Sequence, residues 1–227
     1  MKRLSLILIT IFIIVFSINA QSFISEKVRL GVVVDPFASW MSSDSRDAEY
    51  DGVRFGINGG LALDYYFQEN YSIATGITIN STGGQLVFEE PITFNHSGIV
   101  DTLPEGVHLT YKLQYIEVPL TIKLSTKQIG YAKYFARIGF CPSLNIKATG
   151  DASALNIRDE KINEEMSLFN LSYYIGAGIE YQLAGNTSLL LTVFFKNGFI
   201  DLTKNYSGGF ADKTSLKNMG ISIGFMF

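Results

Sequence analysis

Apolar and polar residues alternate with a period of two through most of the chain beyond residue 27. Because successive side chains of a β-strand point to opposite faces, this alternation predicts strands and not helices. Near the C-terminus, Met219, Ile221 and Ile223 share one face, whereas Gly220 and Ser222 share the other. Similar patterns occupy seven further segments: 28–40, 53–67, 71–80, 108–124, 131–147, 169–182 and 187–199. The pattern therefore predicts an all-β protein of eight strands.

The segments between these predicted strands alternate between short and long. The short ones are 68–70, 125–130 and 184–186, and the long ones are 41–52, 81–107, 148–168 and 201–215. Each predicted strand reaches the roughly 9–11 residues that a membrane-crossing strand needs. Short turns on one side and long loops on the other are typical of outer-membrane barrels. We therefore predict an eight-stranded antiparallel transmembrane β-barrel with short periplasmic turns and long extracellular loops, forming a single domain over 21–227.

The segment 108–124 contains a change of phase. Its apolar residues fall on odd positions at Leu109 and Leu113, but on even positions from Ile116 onward. One extra residue near 115–116 would restore the face, as a β-bulge does. Pro119 lacks an N–H group and therefore predicts a bulge or a local break in strand pairing.

Charged residues are sorted onto one face of the predicted strands. A soluble ligand-binding barrel would be apolar inside, whereas lysine or arginine facing lipid at the midplane costs about 2–4 kcal/mol. We therefore expect the apolar face to contact lipid and the charged face to point inward. The predicted interior charge network consists of Arg29, Arg54, Asp64, Lys112, Glu117, Lys123, Arg137, Glu180 and Lys196. Asp35, Lys133 and Lys147 lie on the same predicted face.

Composition agrees with alternating strands in lipid. The chain is 47% apolar and 17% charged, whereas soluble domains carry about 25% charged residues. Beyond the first twenty residues it has no apolar run of about 18, the length of a spanning helix. The single cysteine excludes a disulfide scaffold and a cysteine-based zinc site. The net charge of −3 argues against a nucleic-acid partner, and no cofactor or metal is expected.

The N-terminus has the layout of a secretory signal peptide over residues 1–20. Lys2 and Arg3 precede a nearly unbroken apolar stretch, and Ala20 is the small residue before the predicted cleavage site. Gln21, and not cysteine, follows that site, so no lipid anchor is expected. Export combined with a barrel predicts localisation in the cell outer membrane, with outer-membrane lipid around the barrel.

The last strand ends with Phe225 and Phe227. A terminal phenylalanine with another two residues before it resembles the signal by which barrel-assembly machinery recognises its clients. We therefore expect that machinery as a partner during biogenesis.

One segment resembles a known family. Residues 115–123, Tyr-Ile-Glu-Val-Pro-Leu-Thr-Ile-Lys, are similar to the Y-L-E-I-P-L-L-L-K segment of the PorT-like outer-membrane β-barrel family of Bacteroidota. Tyr115, Glu117, Pro119 and Lys123 match in identity and spacing. The resemblance implies a barrel of the cell envelope without catalytic residues. It also implies an inward-facing role for Glu117 and Lys123 in an ion pair or network.

Candidate catalytic chemistry is sparse. His96 and His108 flank a long predicted loop, with Ser97 and Asp101 near them in sequence. Nothing in the sequence places these groups within hydrogen-bonding reach of one another. The chain is therefore predicted not to be an enzyme.

Three functional hypotheses remain at this point. The leading one is a small integral outer-membrane barrel with a plugged interior, whose extracellular loops have a structural or interaction role. The second is a transport barrel, or an accessory of type IX secretion with envelope or secretion proteins as partners. The third is an enzyme that modifies outer-membrane lipids.

Overall fold

The computed structural model describes residues 27–44, 48–96, 98–153, 157–203 and 213–227. The predicted signal peptide, residues 1–20, lies outside the described residues and stays a prediction. Within the part of the chain that is described, no helix is long and apolar enough to cross a membrane.

Thirteen strands run through the described residues. In chain order they are β1 (Val28–Ser43), β2 (Ala48–Gly52), β3 (Arg54–Gln68), β4 (Tyr71–Phe88), β5 (Ile92–His96), β6 (Ile99–Leu103), β7 (Val107–Glu117), β8 (Leu120–Ser125), β9 (Ala132–Ala152), β10 (Ile157–Lys161), β11 (Phe169–Ala184), β12 (Thr187–Gly198) and β13 (Thr214–Met226). β7 and β8 follow one another along the same pair of neighbours, β4 and β9. They therefore form one interrupted stave of the barrel.

Antiparallel pairing closes the sheet on itself. The ring runs β1, β3, β4, β7 with β8, β9, β11, β12 and β13, and β13 pairs with β1 again. These are the eight predicted transmembrane strands, so the predicted fold class is confirmed. Closure leaves no unpaired edge in the lipid, which is the condition for a sheet to cross a membrane.

Several strands are much longer than the membrane requires. β9 has 21 residues and β4 has 18, whereas about 9–11 residues cross a bilayer. On the outer face of β9, the exposed residues Tyr134, Ile138 and Phe140 are followed after Ile146 by Lys147. The periplasmic ends of the strands therefore lie in lipid, and their other ends extend above the outer leaflet.

The phase change predicted near residues 115–116 is wrong in its location. The odd-numbered residues are buried along β7 from Val107 to Glu117 and again along β8 at Thr121 and Lys123, with Pro119 half-buried between the two strands. What changes is the environment: the outward positions are polar above the membrane and apolar within it. The register shift at this level falls on β9, where Gln114 pairs with Lys147 and Tyr115 pairs with Asn145. Ile146 is therefore the extra residue.

The interruption predicted at Pro119 is confirmed. β7 ends at Glu117 and β8 begins at Leu120, so the proline lies between two strands of the same stave. Val118 still donates its backbone N–H to the carbonyl of Pro142 on β9, at 3.0 Å. The stave therefore remains attached where the proline cannot donate a hydrogen bond.

The extracellular half of the barrel contains an apolar core, called here the apolar cap. Its buried members are Met41, Leu86, Ile92, Phe94, Leu103, Val107, Leu109, Tyr111, Leu113, Tyr115, Ala148, Ala152, Ile162, Met166, Leu202 and Leu216. β5 and β6 form a separate two-stranded sheet, which contributes Ile92, Phe94 and Leu103 to the cap. This hairpin lies in the segment 81–107 that the sequence predicts to be a loop. The cap fills the barrel where its wall leaves the membrane.

Candidate functional site

The membrane-embedded interior contains ion pairs near its periplasmic end. Lys123 on β8 donates to Asp64 on β3 at 2.7 Å and to Glu180 on β11 at 2.8 Å. Arg29 on β1 pairs with the other oxygen of Glu180 and donates to Ser188 at 2.6 Å. The Lys123 side chain is 1% exposed, so both carboxylates and the ammonium group are removed from bulk water. We call Arg29, Asp64, Lys123 and Glu180 the lower network.

A second ion pair lies further toward the extracellular side. Lys196 on β12 donates to Glu117 on β7 at 2.8 Å, and Asn80 donates to the other carboxylate oxygen at 2.6 Å. Asn80, Glu117 and Lys196 are all buried. The pair crosses the barrel interior, since β9 and β11 lie between β7 and β12 in the ring.

Two further charged residues line a small cavity between these groups. Asp35 accepts a hydrogen bond from Asn58 at 2.6 Å, and Arg137 donates to Thr121 at 3.1 Å. The cavity has a volume of about 40 Å³, and Lys196 also lines it. A polar cavity of this size accommodates buried water, which commonly bridges polar groups in protein interiors.

The charges of the interior are balanced. Arg29, Lys123, Arg137 and Lys196 face Asp35, Asp64, Glu117 and Glu180, four bases against four acids. Aromatic rings supplement the carboxylates, with the Lys123 ammonium 4.8 Å from the ring centre of Phe135 and the Arg137 guanidinium 5.2 Å from that of Tyr174. Such contacts contribute about 0.5–2 kcal/mol each, more where water is excluded. The interior is therefore formally neutral, and Arg29, Lys123 and Lys196 are ion-paired within it, whereas Asp35 Oδ1 and Asn80 Oδ1 are buried without a hydrogen-bond donor among the described residues.

Tight packing keeps this part of the barrel narrow. The Phe37 ring lies edge-on to Phe194, with centres 6.3 Å apart, and Phe194 stacks on Tyr174 at 5.7 Å. Gly220 faces Phe37, and a side chain there would overlap with the Phe37 side chain and the Pro36 carbonyl. The glycine therefore allows the backbones of β13 and β1 to approach closely at Phe37.

Two of the predicted interior charges lie elsewhere. Lys112 is on the outer face of β7, between the buried residues Tyr111 and Leu113, and Lys147 is exposed on the outer face of β9. Both strands extend above the membrane at this level, where the outer face meets water and the inner face belongs to the apolar cap. Arg54 follows the inward register of β3, but it lines a groove with Lys112 and not the lower network.

Lys112 holds β10 against the barrel wall. Its ammonium group lies 2.7 Å from Asp151 and 2.7 Å from Asp159. The hydrogen bonds to Asp151 and Asp159 raise the pKa of Lys112 above its usual value. Burial opposes ionisation of Asp151, yet the Asp159 N–H and Lys112 lower the pKa of Asp151 below its usual value. These extracellular ion pairs therefore favour the charged forms of both partners.

His108 pairs with an acidic residue on another strand of the extracellular half. His108 Nδ1 lies 2.6 Å from Asp51 on β2, an acid that sequence proximity does not suggest. Ser153 Oγ accepts from the backbone N–H of His108 at 3.3 Å, so it contacts the main chain and not the ring. Ser97 lies outside the described residues. The Asp51–His108 pair therefore fastens β2 to β7.

The family motif and the C-terminal phenylalanines have distinct placements. Tyr115, Glu117 and Lys123 are buried inside the barrel, whereas Phe225 and Phe227 are exposed on the outer face. Phe227 donates its backbone N–H to Leu30 on β1 at 2.7 Å, which extends the pairing that closes the barrel. Asp35 and Asn80 complete the interior network, and Asp35 lies on the predicted inward face.

A closed eight-stranded sheet with an apolar outer belt and a charge-balanced interior defines an outer-membrane β-barrel. The model of the family described as outer membrane protein beta-barrel domain matches residues 19–227. The chain belongs to this family, and its localisation is the outer membrane.

Solved barrels align with most of the chain at low sequence identity. Ail of Yersinia pestis is 13% identical, with 88% of this chain and 99% of that chain covered and a TM-score of 0.44. Neisserial surface protein A is 13% identical, with 86% and 95% covered and a TM-score of 0.46. OprG of Pseudomonas aeruginosa is 12% identical, with 88% and 94% covered and a TM-score of 0.40. No curated protein matches the chain.

Proposed function

We propose that this protein is a closed outer-membrane barrel that has a structural or interaction role through its extracellular extension. The observation that carries the proposal is the apolar cap, which fills the barrel where its wall leaves the membrane. Ions and polar solutes are strongly disfavoured in a packed apolar core because they lose hydration there. A non-enzymatic role is part of the proposal.

The interior below the cap supports the same function. An eight-stranded barrel has an interior just wide enough for side chains to fill it. Here the filling groups are ion pairs such as Lys123 with Asp64 and Lys196 with Glu117, together with the Phe37 and Phe194 rings. A formally neutral interior whose two buried lysines are already ion-paired disfavours the binding of a further ion.

We further propose membership of the PorT-like barrels of Bacteroidota. The support is the segment 115–123, in which the three matching ionisable residues all point into the barrel. Glu117 pairs with Lys196, and Lys123 pairs with Asp64 and Glu180, so the motif connects the upper ion pair with the lower network. The proline between them marks the break in the stave.

Conductance in a planar bilayer tests the closed barrel. The refolded protein is expected to give no steady current above the bilayer background, because the apolar cap and the ion pairs occupy the barrel interior. A steady, voltage-insensitive channel in the wild type would contradict the proposal. A folded, conducting outer-membrane porin measured in the same bilayers serves as the positive control.

The two alternative functions, a secretion accessory and a lipid-modifying enzyme, predict different experimental results. An accessory of type IX secretion needs no open pore, so co-purification of secretion proteins from the outer membrane distinguishes it from a purely structural barrel. A lipid-modifying enzyme would lose activity on lipid A in the His96→Ala or His108→Ala variant. Equal activity on lipid A in wild type and in both variants would exclude an enzyme that uses these histidines.

A further inference from the structure

A groove crosses the outer surface of the barrel just above the lipid-facing belt. It has a volume of about 500 Å³ and is open to the outside. Its lining includes Arg54, Phe55, Ile57, Ser81, Lys112 and Lys147. The groove follows the seam at which β3 and β4 separate, since their pairing begins at Ile57 and Ser81.

The strand register places the groove at the membrane boundary. Ile79, Ile116 and Leu144 form an outward row across β4, β7 and β9, and all three are exposed. The next outward row toward the extracellular side is Ser81, Gln114 and Lys147. The surface therefore changes from apolar to polar between these two rows, at the level of the lipid headgroups.

The charges around the groove are not balanced as those of the interior are. Arg54, Lys112 and Lys147 line the groove with the acidic residue Asp159, and Asp151 also pairs with Lys112, which leaves an excess of one positive charge. Lys112 is already paired with Asp159 and Asp151, whereas within the described residues neither Arg54 nor Lys147 has an ion pair. Arg54 Nε is buried without a hydrogen-bond acceptor. A buried donor of this kind favours an anionic acceptor from outside the chain.

The β3 side of the groove is apolar and faces outward. Phe55 is 90% exposed and Ile57 is 55% exposed, and both lie beside the basic residues. A phenylalanine this exposed above a lipid-facing belt is stabilised when an acyl chain covers it. Inorganic phosphate would satisfy Arg54 but would leave the Phe55 ring in water.

We propose that this groove binds the phosphate group of an outer-leaflet lipid, with Phe55 and Ile57 against the lipid's acyl chain. Arg54 offers a planar guanidinium that suits two phosphate oxygens, and Lys147 offers a mobile point charge. Lys112 adds to the positive electrostatic potential of the groove while it remains bound to Asp151 and Asp159. The site lies outside the barrel and is separate from the interior network.

Native mass spectrometry of the full chain in detergent micelles tests the site with phosphatidic acid as the probe. Wild type is expected to retain one phosphatidic acid in preference to diacylglycerol with the same acyl chains. Each basic residue near a membrane surface contributes about five-fold in affinity, so Arg54→Gln and Lys147→Gln are expected to weaken retention by about that factor each. Lys127→Gln, which removes an exposed charge from a periplasmic turn, is the matched control and should bind as wild type does.

Several outcomes would overturn the proposal. Equal retention by wild type and the Arg54→Gln, Lys147→Gln double variant would show that the basic residues do not bind the headgroup. Equal retention of diacylglycerol would show a purely apolar surface. Full competition by inorganic phosphate would show an anion site that does not need a lipid. The single variant Phe55→Ser is also expected to weaken the binding of phosphatidic acid. Lys147→Gln keeps the test available if Arg54→Gln fails to fold.

Discussion

Replacing Lys123 with methionine is expected to destabilise the folded barrel by about 3–5 kcal/mol. Lys123 is 1% exposed and is the shared partner of Asp64 and Glu180. Methionine has a similar length but no charge, so it would leave two carboxylates close together in a medium that solvates them poorly. Reversible urea unfolding in detergent micelles, followed by the change in gel migration on heating, measures the loss.

The matched control is Lys127→Met, which makes the same chemical change on an exposed periplasmic turn. Its effect is expected to stay within about 0.5 kcal/mol of wild type. Adding Asp64→Asn to Lys123→Met is expected to recover part of the loss, because it removes one of the unpaired charges. If Lys123→Met unfolded at the same urea concentration as Lys127→Met, the lower network would not contribute to stability.

Truncating Phe94 to alanine is expected to detach the β5–β6 hairpin from the apolar cap. The hairpin forms its own two-stranded sheet with no backbone ladder to the barrel, so buried side chains hold it in place. Phe94 is almost completely buried, and removal of such a ring costs about 3–5 kcal/mol. Isolated hairpins are marginally stable in water, so the free hairpin should open.

Limited proteolysis of the folded protein in vesicles measures this detachment. Phe94→Ala is expected to be cleaved within residues 89–106 while the barrel strands stay intact. Leu168→Ala, which truncates an extracellular leucine that is 66% exposed, is the control and should resist cleavage as wild type does. Equal resistance of Phe94→Ala and wild type would show that the hairpin does not depend on the cap.

Much of the transmembrane barrel is predictable from the sequence because each strand has lipid on one face and the polar interior on the other. Apolar and polar residues must therefore alternate along it. Met219, Ile221 and Ile223 must face lipid, so Gly220 and Ser222 must face inward, and this rule locates every stave. It also indicates the inward positions of the lower network. It does not indicate which acid meets which base, because the partners depend on how the eight staves are staggered around the barrel.

The extracellular half is where this reasoning fails, for a physical reason. Above the membrane the outer face meets water and the inner face packs in the apolar cap, so the polarity of the two faces is exchanged. Lys112 therefore lies outside although its charge indicates the interior, and Leu113 lies inside although it is apolar. In the sequence, this exchange of polarity looks like a change in the phase of the alternation near residues 115–116. Strand lengths well beyond a membrane crossing are the signal that could have revealed it.

Chemical labelling of Cys141 tests the closed barrel most directly. Cys141 is the chain's one cysteine; it is 2% exposed and lines the small interior cavity between the ion pairs. We expect a small, charged methanethiosulfonate reagent to leave Cys141 unmodified in folded wild type in vesicles and to modify it fully after unfolding in urea. Modification of the folded protein as fast as that of the unfolded chain would show a water-filled interior open to solutes and would contradict the account.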